Sequence, residues 1–218
     1  MRIGILGGTG PAGTALAARL ASVGFDVVVG SRSRDRALQI VDGVLERWPD
    51  RRLPITAAGN DGAAATDLVV VATPWDAAAQ VAQSVGDVVR DKVVVCMANA
   101  LIRIAGEFEP LVPPRGSVSA TVQAALPRSR VAAAFHHVPA KELGDLGHPI
   151  ESDVLVCSDH PDATEAVFGL VAKMPNMRPL DAGSLSMATP IESFTAVLLQ
   201  LNQRYKTRVS LKLTGIPE

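Results

Sequence analysis

The residues of this chain best equipped for chemistry are three glycines and a short cationic run. Gly8, Gly10 and Gly13 lie in Gly7-Gly8-Thr9-Gly10-Pro11-Ala12-Gly13, and the cations lie in Gly30-Ser31-Arg32-Ser33-Arg34-Asp35-Arg36. Gly8 lets the chain turn, Gly10 lets backbone N–H groups approach an anion, and Gly13 lets a helix lie close against a strand. Thr9, Pro11 and Ala12 complete the loop and the first helical positions, where unpaired amides and the helix dipole favour a phosphate. Between a strand and a helix, this spacing is the fingerprint of a dinucleotide pyrophosphate site.

The cationic run falls about twenty residues further on, at the end of the next strand, where the ribose of such a nucleotide lies. A carboxylate there selects a free 2′-hydroxyl, whereas Ser31 can donate to a 2′-phosphate and Arg32 can grip it bidentately. Arg36, one helical turn beyond, can point back to the same anion, and Thr9 offers a hydroxyl from the loop. Arg34 reads as a solvated residue at a helix start. The expected cofactor is therefore NADP(H).

Elements that would position these residues alternate regularly. Apolar runs at Ile3–Leu6, Asp26–Val29, Ile55–Ala57, Leu68–Ala72 and Lys92–Met97 read as strands. Between them, helical patterns run from Pro11 to about Ser22, over Asp35–Trp48 and over Asp76–Val85, and Asn60-Asp61-Gly62 marks a turn or helix start. The order predicts an α/β fold, a Rossmann-type doubly wound parallel sheet with a small C-terminal α/β extension. Gly106–Gly116, with three prolines, reads as an ordered loop over the sheet edge. A helix is expected at Ser117–Leu126, strands at Arg130–Phe135, Asp153–Cys157 and Arg178–Leu180, and helices at Ala163–Lys173 and Pro190–Lys206. The expected division is a dinucleotide-binding domain over 1–128 and a smaller region over 129–218.

Composition narrows the partners. The chain has 218 residues, a net charge of −1 and 4% aromatic residues, which supplies neither the basic field nor the stacking platform of a nucleic-acid binder. Its apolar runs are far short of the roughly 20 residues that span a bilayer. The glycine loop begins at position 7, so no signal peptide is expected and the expected compartment is the cytoplasm. Cys96 and Cys157 each end an apolar run and read as buried hydrophobes.

Facing the nicotinamide should be the carboxyl ends of later strands. These are Thr73-Pro74-Trp75, Asn99-Ala100-Leu101 and His136-His137-Val138-Pro139. Trp75 is either a pocket wall or an anchor for the helix that follows. Asn99 either bonds a carboxamide or caps its own turn. Adjacent histidines on extended chain point to opposite faces, so they cannot chelate one ion, and no metal is expected. One of them should face the cleft, with His136 favoured. The Tyr-x-x-x-Lys pair of short-chain dehydrogenases is missing, because the sole tyrosine, Tyr205, directly precedes Lys206. Hydride exchange between two redox cofactors needs no such pair, since the protein then supplies only alignment.

Gly7-Gly8-Thr9-Gly10-Pro11, Val29-Gly30-Ser31-Arg32, Thr73-Pro74-Trp75, Ala134 to Ala140, Arg178 to Gly183 and Asn202-x-x-Tyr205-Lys206 together resemble F420-dependent NADP reductases, in the actinobacterial form. The resemblance runs through nearly the whole chain. It implies hydride transfer between NADPH and the deazaflavin coenzyme F420, with Thr9, Ser31, Arg32 and Arg36 on the 2′-phosphate. It also implies a deazaflavin ring stacked over the nicotinamide, near Asn99 to Leu101 and His136 to Pro139. No side chain then needs to act as a catalytic acid or base. Lys206 and Arg208 read as a solvated helix end or as partners of the coenzyme's anionic tail, and a homodimer is expected. The chain departs from the actinobacterial pattern at Ala100, in Ser119–Gln123, which has no acid, and at Gly215. The other readings open to the residues are an NADPH-dependent reductase of a small imine, ketone or flavin, and a non-enzymatic NADP(H) sensor.

Overall fold

A computed structural model describes residues 1–216. Its first half follows the alternation of the sequence: β1 (Arg2–Leu6), α1 (Pro11–Ser22), β2 (Asp26–Ser31), α2 (Arg34–Arg47), β3 (Ile55–Gly59), α3 (Asn60–Ala64), β4 (Leu68–Val71), α4 (Trp75–Ser84) and β5 (Val93–Cys96). Strands β6 (Leu101–Ile104) and β7 (Glu107–Pro110) follow, then α5 (Val118–Ala125), β8 (Arg130–Ala133), α6 (Ala140–Leu143), β9 (Ser152–Ser158), α7 (Pro161–Val171), β10 (Met177–Asp181) and α8 (Ala188–Tyr205). A single 3-10 turn, Leu185–Met187, leads into α8.

Eight strands form one sheet in the order β10-β9-β8-β5-β4-β1-β2-β3. All neighbours from β3 to β8 pair in parallel; β9 is antiparallel to β8, and β10 is parallel to β9. The sheet runs unbroken past residue 128. Leu68-Val69-Val70-Val71 is buried throughout, as expected of a strand covered on both faces. One face packs against α1, α2, α6 and α7, the other against α3, α4, α5 and α8. Strand order reverses between β1 and β4, which is where a doubly wound sheet opens a ligand crevice.

One segment departs from expectation. Leu101 to Pro110 is an antiparallel hairpin, so the loop expected over Gly106–Gly116 is confined to residues 111–116. Ala105 and Gly106 both have positive φ, 49° and 90°, which is the two-residue turn that matches the twist of paired strands. The hairpin packs on α8, where Gln200 Oε1 accepts from the Phe108 amide at 3.2 Å.

After α8 the chain reverses at Lys206, with φ 50°, and is strapped along the start of β9. Asp153 carries the strap. Its carboxylate, with 0% of the side chain exposed, accepts from Arg178 Nε at 2.9 Å, Arg178 Nη2 at 2.8 Å and the Leu213 amide at 2.6 Å. Among the described residues no helix is long and apolar enough to cross a membrane.

Chiefly the Arg178 guanidinium, with the Leu213 amide, holds the Asp153 carboxyl below its ordinary value of 3.8. A carboxyl lowered by folding stabilises the fold above the unfolded value, and that contribution is lost as pH falls below about 4. Breaking a buried pair costs about 3–5 kcal/mol. Asp153→Ala should therefore lower the melting temperature at pH 7 by roughly 6–20 °C, and the difference from wild type should shrink below pH 4. Calorimetry at the two pH values checks this, and an unchanged midpoint at pH 7 would contradict it.

Candidate functional site

The β1–α1 turn is built by close approach. Gly7 has φ +64°, and a Cβ there would lie 2.4 Å from Thr73 Cγ2. A Cβ on Gly13 would lie 2.8 Å from Gly8 Cα and 3.1 Å from Ala72 Cβ, so a methyl would push α1 off β1 and β4. Three bonds fix the turn: the Gly8 amide to the Gly30 carbonyl at 2.9 Å, the Thr14 hydroxyl to the Gly8 carbonyl at 3.0 Å, and the Gly7 amide to Asn60 Oδ1 at 3.1 Å. Gly10 instead has nothing within 4 Å of a Cβ position, leaving the tip of the turn open. No side chain caps α1, so its first amides are left for a ligand.

Beside the turn lies a cleft of ≈ 530 Å³ at the reversal between β1 and β4. Thr9, Gly10, Ser31, Arg32, Thr73 and Pro74 share its wall with Asn60 and with Gln80, Val81 and Ser84 of α4. Arg32 is exposed, and among the described residues no carboxylate forms a salt bridge with it. The Ser31 hydroxyl accepts from the Ser33 amide at 3.3 Å, leaving its own O–H to donate. The buried Thr73 hydroxyl has no partner among the described residues. An orphaned donor, uncapped amides and a free guanidinium fit a phosphorylated dinucleotide. Arg32 is the one ionisable side chain among the described residues of this wall.

Other expected residues stand elsewhere. Arg36 lines a separate trough that shares Thr9 with the cleft. Pro11 and Pro139 face an outer cavity of ≈ 960 Å³ together with Lys141, Asn202 and Lys206. Trp75 opens α4 and is 37% exposed, outside the cleft wall.

The histidines require a correction. His136 and His137 are 4% and 3% exposed, so neither side chain faces an open cleft. His137 Nε2 donates to the Asp153 carbonyl at 2.9 Å, a shorter contact than the 3.4 Å to the Leu155 amide. Neither ring nitrogen of His136 has a partner at full hydrogen-bond geometry; its approach to the Ala98 backbone falls short of that. Burial pushes the His136 imidazole down to about 3, with His137 adding to the effect, so the ring is neutral at any working pH. Ala100 and Val138 are likewise buried, and Leu101 opens β6 half-buried.

Helix α8 closes the region through contacts that no local pattern of residues signals. The Thr195 hydroxyl contacts the His136 carbonyl at 3.1 Å and Asn99 Oδ1 at 3.3 Å, while Asn99 Nδ2 donates to the His136 carbonyl at 2.8 Å. Asn99 thus ties two strand ends together. One turn earlier, buried Glu192 accepts from the amides of Val118 and Ser119, at 2.8 and 3.0 Å, and from the Ser119 hydroxyl at 2.8 Å. The segment Ser119–Gln123 has no acid of its own and takes this carboxylate at the start of α5. Periodicity marks Glu192 only as a helix residue; its partners lie more than seventy positions away.

Fold and cleft together define a dinucleotide-binding protein of the Rossmann type, with a wall suited to a 2′-phosphate. The model of the family "NADP oxidoreductase coenzyme F420-dependent" matches residues 2–100. An F420-dependent NADP reductase of Methanothermobacter thermautotrophicus is 34% identical over 228 aligned positions, covering 100% of this chain and 97% of the relative. One from Methanocaldococcus jannaschii is 31% identical, covering 99% of each. A crystal structure of a candidate F420-dependent NADP reductase from Arthrobacter superposes with a TM-score of 0.80 at 22% identity, over 98% of this chain and 100% of that one. The chain belongs to the F420-dependent NADP reductase family.

A neutral, enclosed His136 gives no titration in the working range. The kcat/KM profile should carry no limb from His136 between pH 5 and 8. A limb near pH 6.5 that disappears in His136→Asn would contradict its placement.

Proposed function

We propose that the protein passes hydride between NADPH and coenzyme F420, NADPH + F420 + H⁺ giving NADP⁺ and reduced F420, reversibly. NADPH supplies the hydride and the deazaflavin accepts it. The observation that carries the first half is the cleft wall itself, with its open glycine tip, uncapped helix, orphaned Thr73 hydroxyl and unpaired Arg32. The second half is supported by full-length similarity to enzymes named for both cofactors.

In this reading the amides of the Gly8–Gly13 loop cradle the pyrophosphate, and Ser31 and Arg32 clamp the 2′-phosphate with Thr9 beside them, while Arg36, which lines the neighbouring trough, is left for another anion. Thr73, Pro74, Asn99 and the His136–Pro139 turn bound the path of the nicotinamide. The deazaflavin lies over the outer cavity against Pro11 and Pro139, so residues 129–218 complete the second cofactor's seat. His136 contributes its backbone carbonyl and its bulk, not a proton. The protein orients two rings and needs no acid–base group to do so. The reaction is assigned to the cytoplasm, in keeping with two buried free cysteines.

We also assign a homodimer. Phe194 and Val197 on α8 are 38% and 48% exposed, and Ile102 and Ile104 on the hairpin packed against it are 41% and 49% exposed. Burying them against a second copy would remove that apolar surface from water. Light scattering should give twice the chain mass for wild type and a shift toward one chain mass for Phe194→Glu. A wild-type monomer at micromolar concentration would refute the assignment.

The activity is tested by following the visible absorbance of oxidised F420 with NADPH. Wild type should bleach it, and Arg32→Ala should raise the KM for NADPH roughly 10- to 100-fold while leaving NADH unchanged. Tight NADPH binding without bleaching would overturn the F420 assignment, and retained preference for NADPH in Arg32→Ala would overturn the clamp.

A further inference from the structure

A trough of ≈ 510 Å³ runs outside the dinucleotide cleft, between α2 and α6 and over α1. Its floor is Ala15 and Ala18, and Ile40 and Val44 form the α2 wall. The opposite wall is held firmly. Gly144 lets the α6 segment sit on α1, since a Cβ there would lie 3.2 Å from Ala15 Cβ. Buried Arg19 of α1 donates to the carbonyls of Leu143, Glu142, Asp145 and His148 at 3.0, 3.1, 2.7 and 3.3 Å. A wall pinned by four such bonds is pre-shaped for a ligand.

Every charge in the lining is positive: Arg36, Arg47 and Lys141. Among the described residues none of the three is in a salt bridge, and Glu142, next to Lys141, is taken up by Arg208 at 2.8 Å. Trp48 underlies the far end, with the Arg47 and Arg51 guanidiniums 5.4 and 5.6 Å from its ring centroid. Arg36 and Arg47 stand eleven residues apart on one helix, about 16 Å at about 1.5 Å per residue. That separation is too great for one compact anion and suits an extended chain bearing several. Methylene links between its charges would meet the alanine and aliphatic floor. The trough also shares Pro11, Ala140 and Lys141 with the outer cavity, so one ligand can pass from one to the other.

We propose that this trough seats the polyanionic side chain of the deazaflavin coenzyme, its phosphodiester and glutamyl carboxylates, on Lys141, Arg47 and, at the mouth, Arg36. This rests on the F420 reading above. It makes tail recognition a matter of residues remote from the hydride, so the cations set acceptor affinity without touching the chemical step.

The test uses two acceptors, the coenzyme with several glutamates and its tail-less deazaflavin–ribityl core, with NADPH saturating. Arg47→Ala and Arg47→Glu alter an exposed side chain that lies outside the outer cavity, so the fold should persist. Each should raise the KM of the tailed coenzyme about three- to tenfold, an effect that shrinks at high salt. The KM of the core, the KM of NADPH and kcat should not move. Equal effects on both acceptors, or none on the tailed one while wild type reduces both, would overturn the trough and leave the F420 reading standing. If wild type reduces neither acceptor, both proposals fail.

Discussion

Everything else in the molecule depends on how closely α1 approaches the sheet. A single methyl on Gly13 would meet Gly8 Cα at 2.8 Å, and one on Gly7 would meet the Thr73 side chain. With these side chains missing, the start of α1 lies directly over the carboxyl ends of β1 and β4. The loop amides then point at the crevice where strand order reverses. The Gly8 amide bonded to the Gly30 carbonyl carries that placement to the end of β2, so Ser31 and Arg32 stand at a fixed position beside the loop. One steric constraint thereby sets where the pyrophosphate and the 2′-phosphate must lie.

The second half of the chain supplies enclosure. Helix α8 crosses the last strands of the sheet and ties Asn99 to the His136 carbonyl through Thr195, while Glu192 anchors the start of α5. The strap held by Asp153 and Arg178 covers the start of β9, and Asp153 offers its carbonyl to His137. Polar side chains that look catalytic in isolation are spent on this framework. That suits a reaction whose reactive atoms belong to the two bound cofactors, because rigidity and exclusion of water are then what the protein contributes.

Much of this was legible in the sequence, for local reasons. The glycine spacing, the Ser31-Arg32 pair and the valine runs of β4 and β5 each report a constraint acting within a few residues. The hairpin from Leu101 to Pro110 was not legible, because Pro110, Pro113 and Pro114 suggest a loop and its turn is Ala105-Gly106 in place of an asparagine-glycine pair. Burial of His136 was hidden for a different reason. Alternation holds for extended chain, but the two histidines lie in a turn that follows Phe135, whose φ is 65°, and their burial depends on partners remote in sequence, such as Asp153 beside the His137 ring. Glu192 and Arg19 were equally silent, since a charged residue in a helix reads as solvated until its distant partners are known.

Direct passage of hydride, with no exchange at a protein group, is the central claim, and isotope transfer tests it most directly. NADPH stereospecifically deuterated at nicotinamide C4 would be oxidised by the enzyme with F420 in ordinary water, and the reduced coenzyme analysed by mass spectrometry and NMR. For one of the two C4 diastereomers, the deuterium should be recovered at C5 of the deazaflavin. Loss of the label to solvent from both diastereomers would contradict direct transfer.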